Sequence, residues 1–194
     1  NKNVLANEET KLKPLSLYAK LKVNYEKFLI KESKKKNIKS IILRFATVHG
    51  LSERMRFDLT VNQFTRDVFY NKKLEIFGQN TWRPYCHVKD VARAILISFK
   101  CNNKINIFNV GNSNQNFSKK KIIDNIKKYR KLKNVIFVKD KIDDKRDYKV
   151  NFNKINNKLN FKTKYTVDYG VREILKILIK NKNKNFYSNK FSNT

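Results

Sequence analysis

Two short runs, residues 40–46 (SIILRFA) and 105–110 (INIFNV), decide most of what this chain can fold into. Each is β-branched and almost continuously apolar. Each is too short, and too closely flanked by polar residues, to be a helix. Alternation would mark a strand with one wet face; continuous apolarity marks a buried strand of a parallel sheet. Elsewhere the apolar spacing changes to three and four residues, the helical period. Helices are predicted over 17–33, through Phe57, Val61, Phe64 and Val68, over 89–99, from Ser118 to about Tyr129, over 153–159 and over 167–179. Further short strands are predicted at 74–77, 85–88 and 135–138, with turns at 47–50 (TVHG) and at GQNTWRP. Ser16 and Ser118 are natural caps, Asp58 opens the second helix and Asp90 could cap the third. Strands alternating with helices give an α/β fold with parallel strands. In the first helix, Tyr25 and Phe28 are read as core. The tail, 181–194, is polar and nearly free of aliphatic side chains, so it is expected to fray.

Composition narrows the function classes. The 194 residues carry 45 Lys plus Arg against 16 Asp plus Glu, a formal charge of +29. Such a balance first suggests nucleic acid or an anionic membrane. The excess is mostly Lys, however, and runs from Lys2 to Lys190 among abundant Asn. A nucleic-acid-binding module would gather its cations on one element, so scattered lysines read as solvated surface, and that reading ranks last. Cys86 and Cys101 have no paired framework or metal-ligand spacing, and His49 and His87 are too far apart to suggest a zinc site. No run approaches membrane-span length, and NKNVLANEETK is no signal peptide, so a soluble, cytoplasmic protein is expected. The start lacks Met, which hints at a fragment or a processed start.

PLSLYAKLK (14–22) places Tyr18 and Lys22 four residues apart, on one helix face. A phenol ionises near pH 10 in water. A neighbouring ammonium favours the phenolate and brings proton exchange toward neutral pH. By spacing alone the pair is equally a solvated helix face. Its context is more specific. PLSLYAKLKVNYE resembles the P-x-S-x-Y-A-x-x-K-x-x-x-E signature of the NAD-dependent epimerase/dehydratase family, the extended short-chain dehydrogenases/reductases that act on nucleotide sugars. LRFATVHG (43–50) resembles that family's L-R-x-x-x-V-Y-G strand and turn. Residues 54–58 (RMRFD) and 61–64 (VNQF) resemble its entry to the substrate domain. LEIFG (74–78) followed by WRPYCHVKDVA (82–92) is similar to its I-x-G-x-G-x-x-x-R-x-x-x-H-V-x-D-V-A block. FNVG (108–111) matches a strand end, and 147–161 resembles D-x-x-K-[AI]-x-x-x-L-G-[WF], with Asn160 where Gly is usual.

The resemblance implies the C-terminal part of a Rossmann-type parallel sheet plus a smaller mixed α/β substrate-binding domain, with the Gly-rich N-terminal half absent. Residues 1–56 would be cofactor domain and 57–180 mainly substrate domain, with strand 105–110 returning to the cofactor sheet. It implies Tyr18 as acid/base and Lys22 as its partner, both also touching the cofactor, NAD or NADP. Ala46, Thr47 and Val48 would line the nicotinamide. Arg83 and Arg146 would bind the diphosphate of a nucleoside-diphosphate sugar, with Asn62 near it and Phe77 stacking on the base; an exposed helix position for Asn62 and core packing for Phe77 stay open. His87 and Asp90 read as structural. A 4-reductase or decarboxylase of the same family is the alternative reaction, and members often pair as homodimers through the Tyr18 helix. The catalytic Ser or Thr that precedes the tyrosine in the family has no counterpart here, and no Gly-rich turn occurs among the four glycines. These 194 residues alone are therefore expected to bind NAD weakly and to be inactive.

Overall fold

A computed structural model describes residues 5–102, 104–138 and 147–193. The chain runs α1 (Leu17–Lys36), β1 (Ser40–Phe45), β2 (Thr47–His49), α2 (Thr60–Phe69), β3 (Leu74–Ile76), β4 (Trp82–His87), α3 (Val88–Ser98), β5 (Ile105–Val110), β6 (Asn116–Ser118), α4 (Lys119–Lys127), β7 (Val135–Phe137), α5 (Asn153–Leu159) and α6 (Val167–Lys180). The two apolar runs are parallel strands, as expected, and they pair with each other: β1 lies beside β5, with Ile42 opposite Ile107 and Phe45 opposite Val110. β2 runs parallel to β4, which pairs antiparallel with β6 on its other edge. β3 runs parallel to β7.

Two apolar clusters form. The larger packs α2, α4 and α6 through Phe57, Val61, Phe64, Val68, Ile122, Ile126, Val171, Ile174 and Leu178. The smaller sits under the β1–β5 pair and joins Ala46, Cys86, Ala94, Phe108, Val110, Phe152 and Ile155. A buried side chain of this kind contributes roughly 1.5–3 kcal/mol.

Local signals behave as their chemistry requires at several ends. Ser16 Oγ accepts from the Ala19 N–H at 3.2 Å and Ser118 Oγ from Lys121 at 3.3 Å. Asn160, where the resembled family has Gly, adopts φ 50° at the end of α5. Asn is the side chain that best tolerates this left-handed turn after Gly, which is why the replacement leaves the helix end intact.

Other expectations are corrected. Asp90 does not cap α3; the His87 ring does, and Asp90, fully buried, accepts from the backbone N–H groups of Lys164 and Tyr165. Asp58 lies ahead of α2 and pairs with Arg56. The run at 47–50 is strand β2 before it turns. β4 starts three residues earlier than expected and passes through Pro84. This is tolerated because β2 reaches only to Tyr85, so at Pro84 the strand has a neighbour on one side alone. β1 is only half-buried.

Helix α1 packs inward through half-buried Ala19, Val23, Glu26, Leu29 and Ile30 and buried Ser33. The apolar stripe of Leu17, Leu21, Tyr25, Phe28 and Leu29 divides: Leu29 is half-buried and the other four are exposed, so Tyr25 and Phe28 are not core. The tail does not fray: Phe186 and Phe191 are buried against Phe57.

Candidate functional site

Helix α1 returns into β1 through three residues and so runs antiparallel to it. Its first two turns, with Tyr18 and Lys22, therefore lie at the pole where β1 and β5 end. Arg44 near the end of β1 fixes this arrangement. Its guanidinium grips Glu26 of α1 with two bonds, Nε to Oε2 at 2.9 Å and Nη2 to Oε1 at 2.5 Å, and its Nη1 donates to the Glu8 carbonyl at 3.1 Å. The hydrogen bond to Glu26 leads the effects that raise the Arg44 pKa above its ordinary value. Bidentate pairing of this kind fixes geometry as well as charge. The Glu8 carboxylate in turn accepts from the Asn109 N–H of β5 at 2.7 Å.

At this pole the Tyr18 ring is 71% exposed, and the Lys22 Nζ stands 5.6 Å from its centroid. The phenol and ammonium thus share the face that their spacing requires, open to a ligand. Arg56, two residues before Asp58, is within electrostatic reach of Tyr18. Its pKa is raised first by the hydrogen bond to Asp58. The sequence set Arg56 only within the run 54–58 that resembles the entry to the substrate domain, with no role at the tyrosine.

Ala46 is buried beyond the end of β1, its N–H bonded to the Val110 carbonyl at 3.0 Å, and Thr47 and Val48 pair with Tyr85 and Cys86. Arg83 is two residues ahead of Tyr85, the partner of Thr47, or about 7 Å along the strand. The register thus sets Arg83 level with Phe45, just ahead of Ala46 and Thr47. Its guanidinium lies 5.2 Å from the Tyr148 ring centroid. Next to it, Trp82 is flanked by Lys149 at 4.0 Å and Lys121 at 4.6 Å from its ring centroid. The Trp82 N–H is held by Asp147 at 2.8 Å.

Phe77 is 52% exposed just past β3, which removes the core-packing alternative. Asn62 is neither exposed nor free. Its Oδ1 accepts from the Gly50 N–H at 3.0 Å and its Nδ2 donates to the Arg56 carbonyl at 2.9 Å. The amide thus supports the backbone of the turn that carries Arg56. Arg146 lies outside the described residues.

The far end of β2 holds a cluster of aromatic and titratable groups. His49 and His87 meet edge to face at 5.2 Å, both essentially without solvent. Burial, with His87 as neighbour, pushes the His49 pKa down to about 3, so its ring is neutral at physiological pH. Burial also lowers the His87 pKa, against the opposing pull of Glu173. Gly50 (φ +106°) and Gly170 back onto these rings. A Cβ at Gly50 would fall 2.2 Å from His87 Nε2, and one at Gly170 2.5 Å from His49 Nδ1. Gly50→Ala is accordingly expected to cost about 3 kcal/mol, from a strained positive φ and a collision with an immovable ring. Urea unfolding of the variant measures it; a change below about 0.5 kcal/mol, the level of a neutral surface substitution, would contradict the packing.

The fold and this pole define a class: an α/β protein whose parallel strands end beside an exposed tyrosine–lysine pair. The particular family follows from sequence comparison. Residues 2–111 match the model of the NAD dependent epimerase/dehydratase family, more than half the chain, and the chain belongs to that family. An uncharacterised protein of Methanocaldococcus jannaschii is 33% identical over 115 residues, which are 58% of this chain and 35% of that protein. Among solved structures, the dTDP-glucose 4,6-dehydratase of Bacillus anthracis in complex with NAD is 23% identical with a TM-score of 0.81, over 94% of this chain and 58% of that one. The UDP-glucose 4-epimerase of Thermotoga maritima with UDP-glucose is also 23% identical, with a TM-score of 0.80, over 93% of this chain and 60% of that one. At such identities the likeness carries the fold alone. The chain spans about 58–60% of the length of those structures. Among the described residues, no helix is long and apolar enough to cross a membrane.

Proposed function

We propose that this chain supplies the tyrosine–lysine pair and most of the sugar-nucleotide site of a nucleotide-sugar epimerase or dehydratase. The observation that carries the reading is the exposed Tyr18–Lys22 pair on one face of α1, supported by the family match and by the register that sets Arg83 beside the chain just ahead of Ala46 and Thr47. The donor set fits a nicotinamide dinucleotide, NAD or NADP: an ammonium for ribose hydroxyls, a phenol beside it, and the backbone of 46–48 to flank the ring. That cofactor supplies a hydride acceptor and donor for one sugar carbon. Tyr18, as the phenolate, takes the hydroxyl proton from that carbon, holds it as the phenol and returns it; Lys22 stabilises the phenolate before the first event and after the second. The structures of relatives with NAD or UDP-glucose support the ligand class.

Arg83 holds the diphosphate, since its planar fork meets phosphate oxygens in pairs, and Phe77 offers its exposed ring to the base. In this reading residues 1–56 and strand β5 form the cofactor side and residues 57–180 mainly the substrate side. A second copy packs along the bare stripe of α1. The test is Arg83→Ala in the protein that carries the Gly-rich half. KM for the sugar nucleotide should rise on the order of tenfold or more, the loss of a charge-assisted hydrogen-bonding group. Unchanged KM and kcat would remove Arg83 from the site.

A further inference from the structure

Glu173, on the second turn of α6, reaches three other elements at once. Its Oε2 accepts from the Leu51 N–H at 2.8 Å, in the turn after β2, and from His87 Nε2 at 3.0 Å, at the end of β4. Its Oε1 accepts from the Lys89 ammonium of α3. The tautomer of His87 follows from its other nitrogen. Nδ1 accepts from the Lys89 backbone N–H at 3.2 Å as the cap of α3, so it carries the lone pair and the hydrogen is on Nε2, pointing at Glu173. The ring is therefore a neutral bridge from the α3 N-terminus to α6. The groups that face it are His49, Lys89, Asp90, Tyr165, Tyr169 and Glu173.

This cluster holds the exit of β2 from both sides. Gly50 lies against the His87 ring and Leu51 hangs from Glu173, while Gly170 of the same helix backs onto His49. Burial raises the Glu173 pKa, and bonds from Lys89, Leu51 and His87 outweigh it, so the carboxylate is held ionised. β2 is three residues long, so Leu51 is only three residues from Val48. A shift of the anchored turn is passed directly to 46–48.

We infer that Glu173 is a positioning residue, which sets the path of Ala46–Thr47–Val48 by anchoring Leu51 and the His87 bridge from α6. The inference rests on the reading that this strand end flanks the nicotinamide. Glu173 touches no ligand itself; it acts through the backbone that does. Misplacement of such a wall by an ångström lowers turnover by about a hundredfold, while the diphosphate grip at Arg83 is left alone.

The experiment compares Glu173→Ala and Glu173→Gln in the protein that carries the Gly-rich half. Glu173→Ala removes both acceptor oxygens and with them all three bonds. Its kcat should fall about 10- to 100-fold, with KM for the sugar nucleotide within about twofold and Leu51 amide exchange faster by about tenfold or more. Glu173→Gln keeps an oxygen for Leu51 and His87, losing mainly Lys89, and should restore kcat to within about threefold. Equal losses in the two variants, or a proportionate rise in KM, would reduce Glu173 to a general structural role and overturn the inference. So would unchanged kcat in Glu173→Ala. A wild-type protein without turnover of any sugar nucleotide overturns the functional reading, and accelerated Leu51 exchange in Glu173→Ala still reads the anchor separately. If Glu173→Ala fails to fold, the 15N shifts of His87 in the unsubstituted chain decide. Hydrogen on Nε2 at pH 7 supports the bridge, and hydrogen on Nδ1 overturns it.

Discussion

Removing residues 182–194 is expected to unfold the chain or leave it too unstable to purify as a folded protein. By composition this segment is a polar tail. In the fold it is a strap across the start of α2. Phe186 and Phe191 are buried, with ring centroids 5.5 and 5.9 Å from that of Phe57 and 5.3 Å from each other. The Phe57 N–H donates to the Phe191 carbonyl at 2.7 Å. The Arg66 guanidinium stacks 3.9 Å from the Tyr187 centroid and donates to the Phe186 carbonyl, while the Tyr187 hydroxyl donates to Asp67 at 3.0 Å.

Truncating one buried phenylalanine costs about 3–5 kcal/mol, and domains of this size hold about 5–15 kcal/mol in total. Losing both aromatic anchors, and with them the cover of Phe57, thus consumes most of the margin. Phe191→Ala gives a measurable intermediate. Its unfolding midpoint in urea should drop by an amount equivalent to about 3 kcal/mol or more. A midpoint within experimental error of the parent, or a truncated chain with unchanged stability, would show that the strap adds nothing.

The strap also shows what a sequence conveys and what it leaves out. Periodicity reports which residues share a face, and it marked the core face of α2 and the amphipathic α6, while the short β-branched runs marked β1 and β5 as strands. It does not report what lies opposite that face. Leu17, Leu21, Tyr25 and Phe28 have ideal spacing for an amphipathic helix, yet they are exposed, and Ala19, Val23 and Ile30 make the inward contacts. Phe186 and Phe191 have no periodic neighbours at all; their burial depends on Phe57, more than a hundred residues earlier.

Of the proposed site, the Tyr18–Lys22 pair, Ala46–Val48 and Arg83 were legible as family landmarks, and the register of β2 with β4 sets the last two on neighbouring strands. Asn62 was legible as a position but not as a role, because its amide serves the backbone of Gly50 and Arg56. Glu173 carried no signal. Its partner His87 is 86 residues away, and nothing local to α6 distinguishes one glutamate among many charged residues.

The central claim is that the phenol of Tyr18 moves the proton at the reacting sugar carbon. The most direct measurement is steady-state turnover of Tyr18→Phe in the protein that carries the Gly-rich half, with cofactor binding followed in parallel. The substitution removes one oxygen from an exposed side chain, so the fold should be untouched. Loss of a positioned general acid/base lowers kcat by about 10²- to 10⁴-fold. The account predicts a loss in that range, with sugar-nucleotide KM and cofactor affinity each within about threefold of the parent, less than the weight of one neutral hydrogen bond. Turnover by Tyr18→Phe at the parental rate would contradict it.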